Sequence, residues 1–238
     1  MSESELVSFT SLSTFRRCRL KWLWSRTEPV PPSDLQSRGI YIHQLLEQFV
    51  KTKPEDPQEI IPNVTPPEYL AKNFKLQEQA QKAYLAAAKQ LEKHYLSSWE
   101  AMMVEEQISI EDPPLKGVID LLLRKNDKYL LLDYKTRNAT SYNVMPINQQ
   151  LAFYALLLQL RDGIQVKQGI IFEINVACLT ITQKVFDLQF ESMLDEILSQ
   201  LQEMQNPKIY RNPTDNCAYE CPWIDRCFET YKHRTERS

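Results

Sequence analysis

The stretch Tyr129–Thr136, YLLLDYKT, decides how the chain is read. Three leucines run into an aspartate, and a lysine follows two residues later. Apolar runs of this length, rich in large side chains and bounded by turn residues, read as buried strands. Side chains on a strand alternate faces, so Asp133 and Lys135 point the same way, at the end of a strand whose other residues belong in a core. An ordinary ion pair on a half-exposed strand would look the same from the tripeptide alone. The neighbourhood decides between the two.

Upstream, LKGVIDLLLRK (115–125) reads as a second strand. Asn126-Asp127 between the two is a hairpin signal that lays them side by side. Asp120 is thereby carried towards Asp133, and Gly117 allows a close backbone approach three residues before it. Two carboxylates and an ammonium at one sheet edge need compensation, because buried charge without a partner is costly. An oxygen-rich pair of acids suits Mg²⁺ or Mn²⁺, and a lysine beside a metal-bound water stabilises developing negative charge. That donor set fits phosphodiester hydrolysis.

Two helical segments add to it. In GIYIHQLLEQFV (39–50), His43 and Glu47 lie four residues apart and share a helix face, and a neutral imidazole is a common metal ligand. In INQQLAFYALLLQLRD (147–162), Gln150 and Tyr154 share a face in the same way, and an amide and a phenol can hydrogen-bond a phosphate or a catalytic neighbour. Each of these also has a plain structural reading as core or solvated surface.

The rest of the chain supplies the frame. Residues 8–26 read as one helix capped by Ser11 or Ser13, with its aromatic residues on one side. The segment 51–67 holds five prolines and reads as a loop, followed by a long helix to about Ser97. MMVEEQISI (102–110) reads as a strand ahead of the two described. Gly163 stops the helix begun at Ile147. Strands QGIIFEIN and CLTITQKVF and an amphipathic helix from about Glu191 to Gln205 complete the order. Helices, three strands, a helix, strands and a helix predict an α/β layer fold with a mixed sheet. With 238 residues, 43% of them hydrophobic, the chain is large enough for one domain with a real core. The polar, acidic start lacks the pattern of a secretory signal, and the apolar run 151–158 is too short to span a bilayer. The expectation is a soluble, cytoplasmic protein with no membrane partner.

Five cysteines in a reducing compartment point to metal binding or catalysis more than to disulfides. Cys18 lies near one end, and Cys217, Cys221 and Cys227 near the other. Four thiolates complement either an iron–sulfur cluster or structural zinc, and the spacing leaves both open. Cys178, among apolar residues on an expected strand, reads as core. Joining the ends would also merge two basic groups, Arg16, Arg17, Arg19, Lys21 and Arg26 with Arg211, Arg226, Lys232, Arg234 and Arg237. On a chain of net charge −3, such a face interleaved with Trp22, Trp24 and Trp223 suits single-stranded DNA, unless the tryptophans are packed inside.

Taken in order, GIYIHQLLE, GVID, DYKT and QLAFY resemble the motif series of the RecB-like branch of the PD-(D/E)XK nucleases. LSTFRRCRLKWLW and CAYECPWIDRC resemble the ends of its iron–sulfur members, among them the AddB-type nuclease domain and the small exonucleases of CRISPR spacer acquisition. The resemblance runs from Ser11 to Cys227. It implies a restriction-endonuclease-like core within a single nuclease domain over 1–238. That domain would comprise a helical part (8–100), a catalytic sheet (101–205) and a Cys-rich tail (206–238) closing on Cys18. It implies that His43, Asp120, Asp133 and the carbonyl of Tyr134 bind Mg²⁺ or Mn²⁺. Lys135 would position or activate water, and Gln150 and Tyr154 would support the site and contact the strand. Glu47 would lie just behind the metal ligands or help place the helix. The four cysteines would hold a [4Fe–4S] cluster, with zinc as the alternative. Arg19 stands where the family often has proline, and three residues rather than two separate Cys217 from Cys221. The implied activity is a DNA exonuclease favouring single-stranded ends, in repair, recombination or CRISPR adaptation, alone or with a helicase or integrase. A DNA-end-binding subunit with auxiliary nuclease activity is the alternative.

Overall fold

The structure is a computed structural model that describes residues 6–28, 30–138, 147–190, 192–209 and 221–227. The chain divides into two compact units. The larger comprises Met1–Leu6 and Pro32–Met193; the smaller comprises Val7–Pro31 and Leu194–Ser238.

In the larger unit, Ser33 opens helix α3 (Asp34–Thr52) with a reciprocal cap. Its hydroxyl accepts from the Gln36 amide, and the Gln36 side chain accepts from the Ser33 backbone. The expected start at Gly39 therefore falls one turn and more too late. The proline-rich segment is not all loop, since Pro57–Asn63 forms a 3₁₀ helix started by Asp56. After the short α4 (Glu68–Ala71), α5 (Phe74–Leu91) runs on as a wider turn over Glu92–Leu96, close to the expected end.

Strands β2 (Glu100–Ile110), β3 (Leu115–Lys125) and β4 (Lys128–Arg137) follow as an antiparallel meander. Lys125 pairs with Lys128, so Asn126-Asp127 is the whole connection, and Asn126 takes the φ of +54° that asparagine tolerates. Helix α6 (Ile147–Asp162) then crosses to β5 (Gln168–Asn175), which lies parallel to β4, and β6 (Thr180–Asp187) pairs antiparallel with β5. The parallel β4–β5 pair beside antiparallel ones makes the sheet mixed, as expected. Gly163 ends α6 at φ +68°, and the Ile164 amide reaches back to the Leu158 carbonyl at 3.3 Å.

Helices α3 and α5 share one core with alternate residues of the sheet: Leu121 and Leu123, Leu130 and Leu132, Ile170, Phe172 and Ile174. The alanines of α5, Ala80, Ala83, Ala87 and Ala88, are fully buried and let it lie close to its neighbours. The opposite face is covered by α6. Gly169, beside Ile170 but pointing the other way, has Leu151 within 3.0 Å of where a Cβ would stand. Helix α6 is buried from Leu151 to Leu158, as befits a helix apolar on all sides. No helix among the described residues is long and apolar enough to cross a membrane.

The smaller unit corrects the reading of its first segment. After the two-residue strand β1 (Val7–Ser8), the segment is not one helix but two, α1 (Phe9–Arg17) and α2 (Arg19–Thr27), broken at Cys18. Ser8, not Ser11 or Ser13, caps α1, and the Cys18 sulfur caps α2 by accepting from the Lys21 amide at 3.4 Å. The same unit contains α7 (Met193–Gln205) from Leu194 onwards and the short helical turn that carries Cys227.

Candidate active site

The hairpin of β3 and β4 does what the two aspartates require. Asp120 and Asp133, 7% and 1% exposed, are two of the four buried polar or charged residues in the described structure. The Lys135 Nζ stands 2.6 Å from Asp133 Oδ2, so the alternation read from DYK holds. Asp120 Oδ2 accepts the Tyr134 amide at 2.7 Å, which fixes that carboxylate across the strand pair.

From the other side α3 presents His43. Its Nε2 lies 3.1 Å from the Tyr134 carbonyl oxygen, and its Nδ1 lies 3.8 Å from Asp120 Oδ2. Two strands and one helix, distant in sequence, thus bring together the imidazole, the first aspartate and the main-chain oxygen. The approach of α3 to β4 depends on Gly39, where a Cβ would meet the Thr136 hydroxyl at 2.7 Å.

A further carboxylate is present. Glu105, in the middle of β2, places Oε1 2.8 Å from His43 Nδ1. Val104 pairs with Leu121 and Glu106 with Ile119, so Glu105 stands across from Asp120. Ligand atoms of His43, Glu105 and Asp120 all lie within 4.8 Å of one another. The sequence offered only one signal for Glu105, its place on a strand preceding the aspartate hairpin, and that signal cannot fix register. Glu47 is absent from the cluster. It pairs instead with Lys51 at 2.5 Å, one turn further along α3.

The electrostatics follow from burying acids together. Burial raises the Asp120 carboxyl, and the charge of Glu105 adds to it against the pull of His43 and Lys135. Asp133 is pushed up to about 6, first by burial and then by Asp120, with Lys135 opposing. Burial alone would depress His43, yet Asp120, Glu105 and Asp133 together raise it to about 9. The site stabilises positive charge strongly enough to overcome desolvation of an imidazolium. One nitrogen, carboxylate oxygens and a main-chain carbonyl form a donor set that fits a hard divalent cation. His43, Glu105 and Asp120 are the residues whose ligand atoms lie close enough together to hold one.

Helix α6 closes the arrangement. Gln150 Nε2 donates to the Tyr154 hydroxyl at 2.7 Å, and the Tyr154 ring packs on Gly117. Burial raises the Tyr154 phenol well above its ordinary range, and the Asp133 charge adds to this. Gln150 and Tyr154 therefore belong to one contact that connects the helix to the strand bearing Asp120.

A comparison with protein-family profiles matches the PD-(D/E)XK nuclease superfamily over residues 6–228. The chain belongs to the PD-(D/E)XK nuclease superfamily. Membership makes it a metal-dependent nuclease with a nucleic acid as substrate. A search of curated proteins finds no match. Among solved structures, the crystal structure of SSO0001 is similar at 14% identity, covering 92% of this chain and 95% of that one, with a TM-score of 0.41.

The smaller unit of this PD-(D/E)XK protein holds three of the four cysteines proposed as a bracket, Cys18, Cys221 and Cys227. Cys217, Arg211, Lys232, Arg234 and Arg237 lie outside the described residues. Helix α2 and the Cys227 turn pack together here. Trp223 lies 6.4 Å from Trp24 between ring centroids, Arg226 stacks over Trp24 at 4.8 Å, and Arg226 pairs with Glu28. Two readings need correction. Trp22 and Trp24 are 5% and 8% exposed, so they pack inside and offer no stacking platform. The basic residues of α1 and α2 do not form a purely basic face, because α7 brings Glu196 to Arg16 and Glu203 to Arg19. Cys178 is also misplaced by the sequence. It sits exposed in the turn before β6, its amide bonded to the Asn175 side chain, because the strand begins only at Thr180.

Proposed function

We propose that this chain is a Mg²⁺- or Mn²⁺-dependent DNA exonuclease. The observation that carries the proposal is the convergence of His43, Asp120 and the Tyr134 carbonyl beside the ion pair of buried Asp133 with Lys135. When bound, a divalent cation would lower the pKa of a coordinated water and neutralise charge on the scissile phosphate. The protein's own residues do the rest. Asp120, tied to the Tyr134 amide, cannot rotate away from the cluster. Lys135 stands beside Asp133 with its ammonium at the wetter edge of the site, 29% exposed, where it can hold an attacking water and offset charge building on the phosphate. Buried apolar neighbours, Leu121, Leu132 and Tyr134, keep the local dielectric low and the ionic contacts strong. Gln150 and Tyr154 set the distance between α6 and the Asp120 strand.

The preference for single-stranded ends rests on the motif series and its resemblance to small end-processing nucleases. So does the assignment to DNA repair, recombination or CRISPR adaptation. The four cysteines are proposed to carry a [4Fe–4S] cluster in the smaller unit. Support comes from the packing of the Cys221–Cys227 turn through Trp223 and Arg226 on the helix that Cys18 caps.

The test is anaerobic purification followed by digestion of 5′- and 3′-labelled oligonucleotides with Mg²⁺, Mn²⁺ or EDTA. The proposal expects stepwise loss from an end with either cation and none in EDTA. Undiminished activity in Lys135→Ala or Asp120→Ala would defeat it.

A further inference from the structure

Glu105 lies outside the motifs from which the site was read, yet it makes the shortest contact to His43. Its backbone is strained, with φ +48° in the left-handed region that non-glycine residues seldom adopt inside a strand. Such strain persists where surrounding structure enforces it, and it concentrates at functional sites. Here the strained residue delivers Oε1 to within 2.8 Å of His43 Nδ1. The opposite ring nitrogen, Nε2, faces the Tyr134 carbonyl at 3.1 Å. Both nitrogens are therefore spoken for, one by an acid and one by a main-chain oxygen.

The chemistry of the partners decides which nitrogen is free to bind a cation. An ionised carboxylate only accepts hydrogen bonds, so the nitrogen beside Glu105 must carry a proton. A neutral ring protonated at Nδ1 keeps its lone pair on Nε2. That is the nitrogen beside the Tyr134 carbonyl, whose residue's amide also anchors Asp120. A cation on the Nδ1 side would instead require the proton on Nε2, donated to the Tyr134 carbonyl, and would remove that oxygen as a ligand.

We propose that Glu105 is a positioning residue: it holds His43 as the Nδ1–H tautomer and turns Nε2 towards the divalent cation. The inference rests on reading this cluster as the metal centre of the nuclease. It assigns Glu105 the part that a hydrogen-bonded carboxylate plays behind a metal-binding histidine.

The experiment uses the full chain labelled with ¹⁵N-histidine. The protein has three histidines, His43, His94 and His233, so substituting His94→Gln and His233→Gln in turn assigns the signals. Long-range ¹H–¹⁵N spectra with Mg²⁺ are expected to show Nδ1 protonated and Nε2 bare. Mn²⁺ affinity is measured by calorimetry on variants whose circular dichroism matches the wild type. Glu105→Gly accepts the left-handed backbone without strain and removes the acceptor, so binding should weaken roughly 10–100-fold. Glu105→Gln keeps an oxygen that can accept from Nδ1–H and should retain most of the affinity. Equal losses in the two variants, or a proton on Nε2 in the Mg²⁺-loaded wild type, would overturn the inference. A wild type that binds no Mn²⁺ would instead overturn the metal-centre reading, and this inference with it.

Discussion

Replacing Gly117 by alanine tests the contact between helix α6 and the aspartate strand. A Cβ built there stands 2.8 Å from Tyr154 Cε1, 3.1 Å from Tyr154 Cδ1 and 3.1 Å from Leu157 Cδ1. The leucine methyl is the end of a flexible side chain and can turn aside. The tyrosine ring cannot, since it is 9% exposed and its hydroxyl is held by Gln150 at 2.7 Å. Overpacking of this kind costs about 1–3 kcal/mol, and a rigid ring at 2.8 Å puts the site in the upper part of that range. Removing a glycine from a strand returns about 0.5–1 kcal/mol. The net expectation is a loss of about 1.5–2 kcal/mol, or roughly 3–8 °C in melting temperature for a domain of this size. Urea unfolding of Gly117→Ala, Tyr154→Ala and the double variant isolates the term. With the ring gone, Gly117→Ala should become neutral or mildly stabilising, a coupling of about 2 kcal/mol. If Gly117→Ala costs the same with and without the tyrosine ring, the close-approach argument is wrong.

Asp120→Asn and Lys135→Ala should each reduce metal-dependent cleavage by roughly 10²–10³-fold or more, read from initial rates on labelled oligonucleotides, because the first removes a charged ligand of the cation and the second the ammonium that offsets developing charge. In EDTA the larger unit should lose stability as pH rises. Asp133, raised from its ordinary value to about 6, stabilises only while protonated, so its contribution fades between about pH 4 and 6. His43, raised to about 9, contributes fully below its ordinary value near 6.5 and loses that contribution as pH climbs through 9. A urea midpoint in EDTA that rises over pH 6.5–9 would contradict the assignment. Cys18→Ser separates capping from cluster binding. A hydroxyl caps α2 at least as well as a thiol, so as a cap alone the substitution is neutral. As a cluster ligand, Cys18 should be needed for the brown visible absorption and for the melting temperature of the anaerobically purified protein. Unchanged absorption and melting in Cys18→Ser would remove Cys18 from the cluster.

Much of the sheet was legible because its signals are local. Strands β3 and β4 and helix α6 begin and end within a residue of their expected limits, since apolar runs, Asn126-Asp127 and Gly163 mark them directly. The failures lie where a residue's role depends on something distant. The aromatic stripe of 8–26 runs through Cys18 without a break in pattern, so nothing local announced that its sulfur would start a second helix. The tryptophans and arginines of the same segment looked like a surface for nucleic acid. The acidic partners of Arg16 and Arg19 come from α7, and the ring and guanidinium packed on Trp24 from the Cys227 turn, nearly two hundred residues away.

The linear order of residues settled the alternation that puts Asp133 and Lys135 together, the hairpin that returns Asp120 and the helix faces of His43 and Tyr154. These are consequences of strand and helix periods. Tertiary packing settled which groups close the site. Gly39 and Gly117 let α3 and α6 come near enough, and strand register together with a left-handed backbone aims Glu105 at His43. Periodicity acts over a few residues and can be read along the chain. Register and close approach depend on side chains far apart in sequence competing for the same few ångströms, and only the folded chain decides that competition.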